Sequence, residues 1–247
     1  MTDAPRVAVF RPDDDRLTDA VARLESLGAQ AVPDPMLAVE PTDAAPRRDA
    51  DYAVLTSKTG AELVADAGWT PGEATVCAIG AATADALRAE GYAVDVVPEE
   101  YSSSGLVAAL ADEIGGARVE IARSDHGSDV LPDGLIDAGA YVHETVLYRL
   151  VRPEGAGESA ELAAAGELDA ALFTSSLTVE NFLAAAADRG VRADALAGLN
   201  APGVVVAVIG APTRETAESR GIDVDVVPET ADFETLSRAA VAALDER

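Results

Sequence analysis

The sequence has very little cysteine, lysine, tryptophan and histidine. Its 247 residues include one cysteine, Cys77, one lysine, Lys58, one tryptophan and two histidines. A single cysteine excludes an internal disulfide, and its position in an apolar run predicts a buried thiol rather than a nucleophile. Two histidines, His126 and His143, give no basis for a histidine metal site, so we interpret them as surface or strand-edge residues.

Positive charge is also scarce. The formal net charge is −26, because 44 acidic residues, spread along the whole chain, outnumber 18 basic ones. Nucleic-acid binding needs clustered lysine and arginine, so this class of function is disfavoured. Dispersed acids with almost no lysine instead predict a cytoplasm of very high salt, where the Debye length is about 3 Å or less and self-repulsion is screened.

Targeting, membrane and common catalytic signals are missing as well. No window approaches the ~20 apolar residues of a membrane span, and the first residues, MTDAPRVAVF, contain no apolar signal core. We therefore expect a soluble, cytoplasmic protein. The phosphate loop GxxxxGK[ST], the GxSxG elbow and the HExxH metal motif are absent too.

What the sequence does contain is an internal repeat. Residues 76–100, VCAIGAATADALRAEGYAVDVVPEE, match residues 206–230, VAVIGAPTRETAESRGIDVDVVPET, at 12 of 25 positions. Each copy predicts an apolar strand, a helix opened by Thr83 or Thr213 and closed by Gly91 or Gly221, and a second strand, VDVVP.

The repeat extends to the rest of the chain. RVAVFRPD at 6–13 has a counterpart in RVEIARSD at 118–125, and DYAVLTS at 51–57 has one in DAALFTS at 169–175. The elements of the first half thus recur in order in the second, with a glycine- and glutamate-rich loop after residue 153. Alternating strands and helices predict two similar α/β units with parallel sheets.

Hydroxyl-bearing turns follow several predicted strands. Such turns place free backbone N–H groups at a helix start, which can bind carboxylate or phosphate, although ordinary helix N-capping is the alternative for each of them. The residues concerned are Thr56, Ser57, Lys58, Thr59, Gly80, Thr83, Tyr101, Ser102, Ser103, Thr174, Ser175, Ser176, Gly210 and Thr213.

Three cations accompany these turns. Lys58 lies at a helix start, where a cation is unfavourable unless an anion joins it, although it could be an accidental survivor. Arg11 and Arg123 each follow the first strand of their half, so they could bind a shared anionic ligand or only pair with neighbouring aspartates.

Taken together, these segments resemble uroporphyrinogen-III synthase. The resemblance rests on DYAVLTSKTG, DAALFTSSLTV, the two IGxxT segments with their VDVVP ends, PEEYSSSGL and ETVLYRLVRP, in the family's order over nearly the whole chain. Two departures are Ala211-Pro212-Thr213, where the family often has Pro-Thr-Thr, and an unusually proline-rich first linker.

The resemblance implies an architecture. It is an α/β fold of two flavodoxin-like, three-layer domains with parallel sheets, joined by a two-stranded linker, with the active-site cleft between them. Domain 1 would be discontinuous, at 1–35 plus 152–247, and domain 2 would span 40–145. The linker strands would be about 32–41 and 144–153.

The resemblance also implies a reaction without a cofactor or metal. Hydroxymethylbilane, possibly handed over by the preceding deaminase, loses water, ring D is inverted through a spiro intermediate, and uroporphyrinogen III is formed. Tyr148 matches the family's linker tyrosine and is the candidate general acid, the alternative being that it only packs in the ladder. We expect a monomer. The competing hypothesis is a non-catalytic two-domain binding protein for an anionic small molecule.

Overall fold

The computed structural model describes residues 4–247, which form nine strands and ten helices. The strands are β1 (Arg6–Phe10), β2 (Gln30–Pro33), β3 (Ala38–Pro41), β4 (Tyr52–Leu55), β5 (Thr75–Ala78), β6 (Arg118–Ser124), β7 (Tyr141–Val151), β8 (Ala170–Phe173) and β9 (Val205–Val208). The helices are α1 (Asp15–Ser26), α2 (Lys58–Asp66), α3 (Ala81–Ala89), α4 (Ser103–Leu110), α5 (Val130–Asp137), α6 (Glu158–Ala164), α7 (Ser176–Asp188), α8 (Arg192–Leu199), α9 (Ala211–Ser219) and α10 (Phe233–Asp245).

The chain divides into two compact units. Unit 1 contains the residues up to Ala38 together with Val151–Arg247, and unit 2 is Val39–Leu150. Each unit therefore combines the first strands of one sequence half with the later strands of the other half. In unit 1, β1 and β2 share a sheet with β8 and β9, and in unit 2, β6 and β7 share a sheet with β4 and β5.

Unit 1 has a parallel sheet in the order β2-β1-β8-β9. Alternate side chains of its strands enter two separate apolar clusters, one on each face. Ala8 and Phe10 pack with α6, α7, α8 and α9, whereas Val7 and Val9 pack with α1 and α10. The predicted α/β class with parallel sheets is thus confirmed, and helices cover both faces of this sheet.

Unit 2 has a sheet in the order β3-β7-β6-β4-β5, in which the β7–β6, β6–β4 and β4–β5 ladders are parallel. Its strands also divide between two clusters. Leu55 and Ala122 pack with α2 and α3, and Val54 and Ile121 pack with α4 and α5. The carboxyl ends of β4, β5 and β6 therefore meet at one edge, where their turns can form a site.

The prediction of a second strand in each repeat copy is wrong. In both copies VDVVP makes a single isolated bridge, Cys77↔Val96 or Ala207↔Val226. The aspartate of the motif explains this. Asp95 Oδ2 accepts the backbone N–H of Val76, and the equivalent carboxylate in the other copy does the same, both at 2.8 Å. In each copy, a carboxylate thus takes the backbone N–H that a longer β-ladder with VDVVP would use.

The glycine- and glutamate-rich segment, predicted as a loop, contains α6. Its cap comes from far away in the sequence: the buried carboxylate of Asp34 accepts hydrogen bonds from the backbone N–H groups of Gly157 and Ser159, both at 2.9 Å, and from the Ser159 hydroxyl. Helices α6 and α8 pack against each other, and neither has a counterpart in the described part of the first half of the chain.

Candidate functional site

A small cavity lies among the strand ends of unit 2. Its volume is about 220 Å³. Five of the residues predicted from the sequence line it, although they come from distant segments of the chain: Thr56, Ser57, Ser103, Arg123 and Tyr148. The segments of Thr56, Ser57, Arg123 and Tyr148 meet because β4, β6 and β7 are parallel neighbours in the sheet, and Ser103 is the first residue of α4.

A β-bulge directs Tyr148 toward this cavity. The register of β6 with β7 runs regularly to Arg123↔Val146 and then shifts, so that Ser124 faces Tyr148 and Leu147 is the extra residue. Leu147 and Tyr148 consequently pack in the same apolar cluster, whereas successive residues of a regular strand point to opposite faces. Without the bulge, Tyr148 would point to the other face of the sheet.

The phenol of Tyr148 is held by Ser57. Its Oη donates to Ser57 Oγ at 3.0 Å, and Ser57 Oγ also accepts the backbone N–H of Gly60 at 2.9 Å as the N-cap of α2. With both acceptor positions used, the Ser57 hydroxyl retains its own hydrogen as a donor. Tyr148 is only 6% exposed and Ser57 is half-buried, so this pair forms a largely buried part of the cavity wall. Such a pair can pass a proton to a leaving group.

Arg123 lines the same cavity, but the protein already uses its guanidinium. Nε contacts Glu144 Oε2 at 2.5 Å, Nη1 donates to the carbonyl of Ser128 at 2.6 Å, and Nη2 lies 3.8 Å from Asp129. A Cβ on Gly127 would lie 2.6 Å from Arg123 Cδ, which explains the glycine there. Arg123 therefore holds the turn after β6 through Glu144 and the Ser128 carbonyl, with Asp129 as a more distant partner.

In unit 1, polar contacts join the turns that follow β1, β8 and β9. The hydroxyl of Thr174 donates to the carbonyl of Phe10 at 2.7 Å. Ser176 Oγ donates to the carbonyl of Pro212 at 3.1 Å and accepts from Thr216 Oγ1 at 2.9 Å. These bonds bring the predicted residues of β8 and β9 to one edge of the sheet.

Arg11 lies at the same edge and has an unusual environment. Its guanidinium stacks over the ring of Phe233, 5.0 Å from the centroid, and its buried Nε has no hydrogen-bond partner among the described residues. Burial first, and then the charge of Arg16, lowers the pKa of Arg11. No ion pair of Arg11 occurs within residues 4–247. An anion could therefore bind here without displacing any carboxylate of the described residues.

Three of the predicted turns act as ordinary helix caps. Ser57, Ser102 and Ser175 each accept a backbone N–H of the first helical turn through their hydroxyl, at 2.9 to 3.2 Å. Ser175 forms a complete capping box with Thr178. For these three side chains the N-cap alternative describes the contacts that are present.

The two glycine turns of the repeat are different. Helices α3 and α9 follow Gly80 and Gly210, and no side chain among residues 4–247 caps them, so their first N–H groups are available to an anion; in α9, Pro212 has no N–H, which leaves those of Ala211 and Thr213. The two helices begin two residues before Thr83 and Thr213, which were predicted to open them, so each threonine is the third helical residue. Both are nearly buried, at 5% and 3% exposure, and neither hydroxyl bonds to a described residue.

The remaining predicted residues are more exposed. Lys58 is 70% exposed and pairs with Glu62 at 3.4 Å, so Glu62 supplies the anion that a cation at a helix start requires. Thr59 is half-buried, and its hydroxyl has no partner among residues 4–247. Tyr101 is 65% exposed; a Cβ on Gly80 would lie 3.1 Å from the Tyr101 Cβ, so the two segments touch closely.

Comparison with known proteins connects this geometry to a family. The family model described as uroporphyrinogen-III synthase HemD matches residues 18–238. The chain belongs to the uroporphyrinogen-III synthase family. A relative from Methanothermobacter thermautotrophicus, provisionally named uroporphyrinogen-III synthase, is 32% identical over 97% of this chain and 99% of its own. The Synechococcus elongatus uroporphyrinogen-III synthase is 28% identical over 80% of each chain.

A solved structure shows the same fold in this family. The structure of a mutant uroporphyrinogen III synthase from Thermus thermophilus superimposes with a TM-score of 0.69 at 22% identity, covering 99% of this chain and 100% of that one. At this identity the likeness describes the fold of the family. The two-domain α/β architecture predicted from the sequence is thereby confirmed.

Within this family member, sequence reasoning missed part of the cavity wall. Ile79, Ser124, Gly127, Ser128 and Leu131 also line the cavity. The segment SDHGSD at 124–129 begins at the last residue of β6, and it was noted only for its histidine and as the end of the repeated RVEIARSD. Its two serines and its glycine, between an apolar strand and a helix, are the same turn signal that identified Thr56 and Ser57.

Two further observations concern metals and membranes. Within residues 4–247, no group of three or more histidine, cysteine, aspartate and glutamate side chains is arranged to hold a metal ion. Among the same residues, no helix has the length and apolarity needed to cross a membrane.

Proposed function

We propose that this protein is a uroporphyrinogen-III synthase, which closes hydroxymethylbilane to uroporphyrinogen III with loss of water and inversion of ring D. The observation that carries the proposal is the family match over residues 18–238. The protein would work without a cofactor, because the chemistry consists of proton transfer, carbon–carbon bond formation and the selection of one folded conformer.

Tyr148 is proposed as the general acid, with Ser57 as its partner. Departure of the substrate hydroxyl as water consumes one proton, which Tyr148 Oη supplies directly or through the Ser57 hydroxyl. Ring D gives up one proton when its aromaticity is restored after ring closure, and this proton returns to the phenolate. The support for this assignment is the 3.0 Å bond between the two hydroxyls at the wall of one cavity.

The substrate carries acetate and propionate groups, and we propose a division of labour among the predicted residues. Arg11 and the uncapped helix starts at Gly80 with Thr83 and at Gly210 with Thr213 would bind these carboxylates. Support comes from the guanidinium of Arg11 and the hydroxyls of the two threonines, which have no hydrogen-bond or ion-pair partner among residues 4–247. The other predicted residues would shape the surrounding turns: Thr56, Lys58, Thr59, Tyr101, Ser102, Ser103, Arg123, Thr174, Ser175 and Ser176.

We also propose a setting for the enzyme. The charge of −26 fits a cytoplasm of high salt, in which the protein works as a monomer and receives hydroxymethylbilane from the preceding deaminase.

The experiment uses the competing spontaneous reaction as its baseline. Hydroxymethylbilane alone closes to the symmetric isomer I. Incubation with the protein in molar potassium chloride, followed by oxidation and chromatographic separation of the isomers, should give isomer III. Only isomer I, from protein that is folded by circular dichroism under the same conditions, would contradict the proposal and favour a binding protein without catalytic activity.

A further inference from the structure

Because of the repeat, equivalent positions of the two units can be compared, and one pair of neighbouring strand residues differs in chemical character. In unit 1, Ala8 of β1 pairs with Val32 of β2, and both contact an apolar cluster. At the equivalent position of unit 2, Glu120 of β6 pairs with His143 of β7. The fold therefore accepts an apolar pair at this position, and it does not itself require an acid and an imidazole there.

The covering layer differs at the same place. The cluster around Ala8 includes residues of α6 and α8, which pack over that face in unit 1. Unit 2 has no helix in residues 42–51, between β3 and β4, where α6 would have its counterpart. A cavity of about 500 Å³ opens here, at the amino ends of β6 and β7 and thus at the opposite edge from the strand-end cavity.

Glu120 is buried and already satisfied. Its side chain is 1% exposed; Oε2 lies 2.7 Å from His143 Nδ1, and Oε1 accepts a hydrogen bond from Thr145. His143 is 40% exposed, lines the cavity, and makes no other hydrogen bond to a described residue. In the imidazolium form His143 pairs with Glu120 as a salt bridge, and its Nε2 is then a free donor.

The other charges of the cavity leave one cation unmatched. Arg118 binds Asp51 through Nε and Nη2, and it contacts Asp49 at 3.3 Å through Nη1. Both of these carboxylates are therefore engaged by Arg118. Arg47 also lines the cavity, yet it has no hydrogen bond or ion pair with any described residue. Arg47 and His143 are the donors that remain for a ligand.

We propose that this cavity is a second binding site, separate from the proposed catalytic one, for a small molecule with a carboxylate group. The carboxylate is bound by the guanidinium of Arg47 and by Nε2 of the His143 imidazolium, while Glu120 accepts from Nδ1 and orients the ring. The exposed ring of Tyr141 also lines the cavity and can pack against an apolar or aromatic body of the ligand.

The single tryptophan provides a local signal for the test. Trp69 Nε1 donates to the carbonyl of Pro46 at 3.0 Å, and Pro46 directly precedes Arg47. Benzoate, titrated in molar potassium chloride with excitation at the red edge of tryptophan absorption, should change the Trp69 emission saturably. Benzamide, which has the same shape without the charge, should not. Because the readout is fluorescence, the outcome is independent of whether the protein has synthase activity.

Three variants make the assignment specific. Arg47→Gln should weaken benzoate binding about tenfold or more, because a charge-assisted hydrogen bond is lost. Arg48→Gln is the matched control, since Arg48 is also exposed and has no side-chain partner among residues 4–247, but it does not line this cavity. The double variant Glu120→Ala, His143→Val rebuilds the apolar pair of unit 1 and should likewise weaken benzoate binding about tenfold or more, because the second donor is lost. Equal responses to benzoate and benzamide, or unchanged affinity in Arg47→Gln, would overturn the proposal.

Discussion

Replacing Tyr148 with phenylalanine separates its catalytic role from its packing role. The ring stays in the apolar cluster, so the substitution removes only the hydroxyl and its 3.0 Å bond to Ser57. The loss of one neutral hydrogen bond costs about 1 kcal/mol of unfolding free energy. A general acid contributes on the order of 100-fold to a rate, which corresponds to about 2.7 kcal/mol in the activation barrier. The catalytic effect should therefore clearly exceed the effect on stability.

Tyr92→Phe is the matched control for this comparison. Tyr92 packs against the same cluster, and its phenol donates to the carbonyl of Trp69 at 2.8 Å, but it does not line the cavity. The rate of isomer III formation and the urea unfolding curve are measured for both variants in molar salt. If the Tyr148 variant forms isomer III as fast as the Tyr92 variant, then Tyr148 is only a packing residue.

Four further predictions concern stability and the reactivity of the buried thiol. Asp34→Ala should lower the free energy of unfolding by about 2 to 3 kcal/mol in urea titrations, because a buried carboxylate that caps α6 is lost; a change below about 1 kcal/mol would contradict this. Burial raises the pKa of Cys77 to about 12, so iodoacetamide should not modify the folded protein at about pH 8. Folding favours the neutral thiol of Cys77, so its contribution to the free energy of unfolding is complete below about pH 9 and is lost as the pH rises toward 12. In the Cys77→Val variant, this part of the decrease in stability at high pH should be absent. Lowering potassium chloride from molar to millimolar should reduce the melting temperature, and an unchanged value would refute the high-salt interpretation.

The fold was predictable where its signals are local. The apolar runs of β1, β4, β8 and β9 are short and are followed by polar or glycine turns, and Asp14 accepts the N–H of Arg16 as the cap of α1. Gly91 and Gly221 have φ values of +87° and +83°, so glycine ends the repeat helices as the sequence indicated. Each of these features needs only a few neighbouring residues to be recognised.

The features that were missed depend on contacts between distant segments. The cap of α6 comes from Asp34, which is 123 residues from Gly157, and the VDVVP strand is interrupted by a carboxylate that bonds to a neighbouring segment. The candidate site likewise has a part that local sequence indicates and a part that depends on distant contacts. Its hydroxyl residues could be identified from the turns, whereas the direction of Tyr148 depends on a bulge in β7 that no local pattern indicates.

The exchange of strands between the two sequence halves has a consequence for synthesis on the ribosome. Unit 2 is one continuous segment, Val39–Leu150, and all strands of its sheet emerge together. Strand β1, in contrast, must remain unpaired on its β8 side until Asp169, 163 residues after Arg6, has emerged. At a translation rate of about 5 to 20 residues per second, this interval is on the order of 10 to 30 s. The second unit along the chain is therefore expected to fold before the unit that contains the first strand.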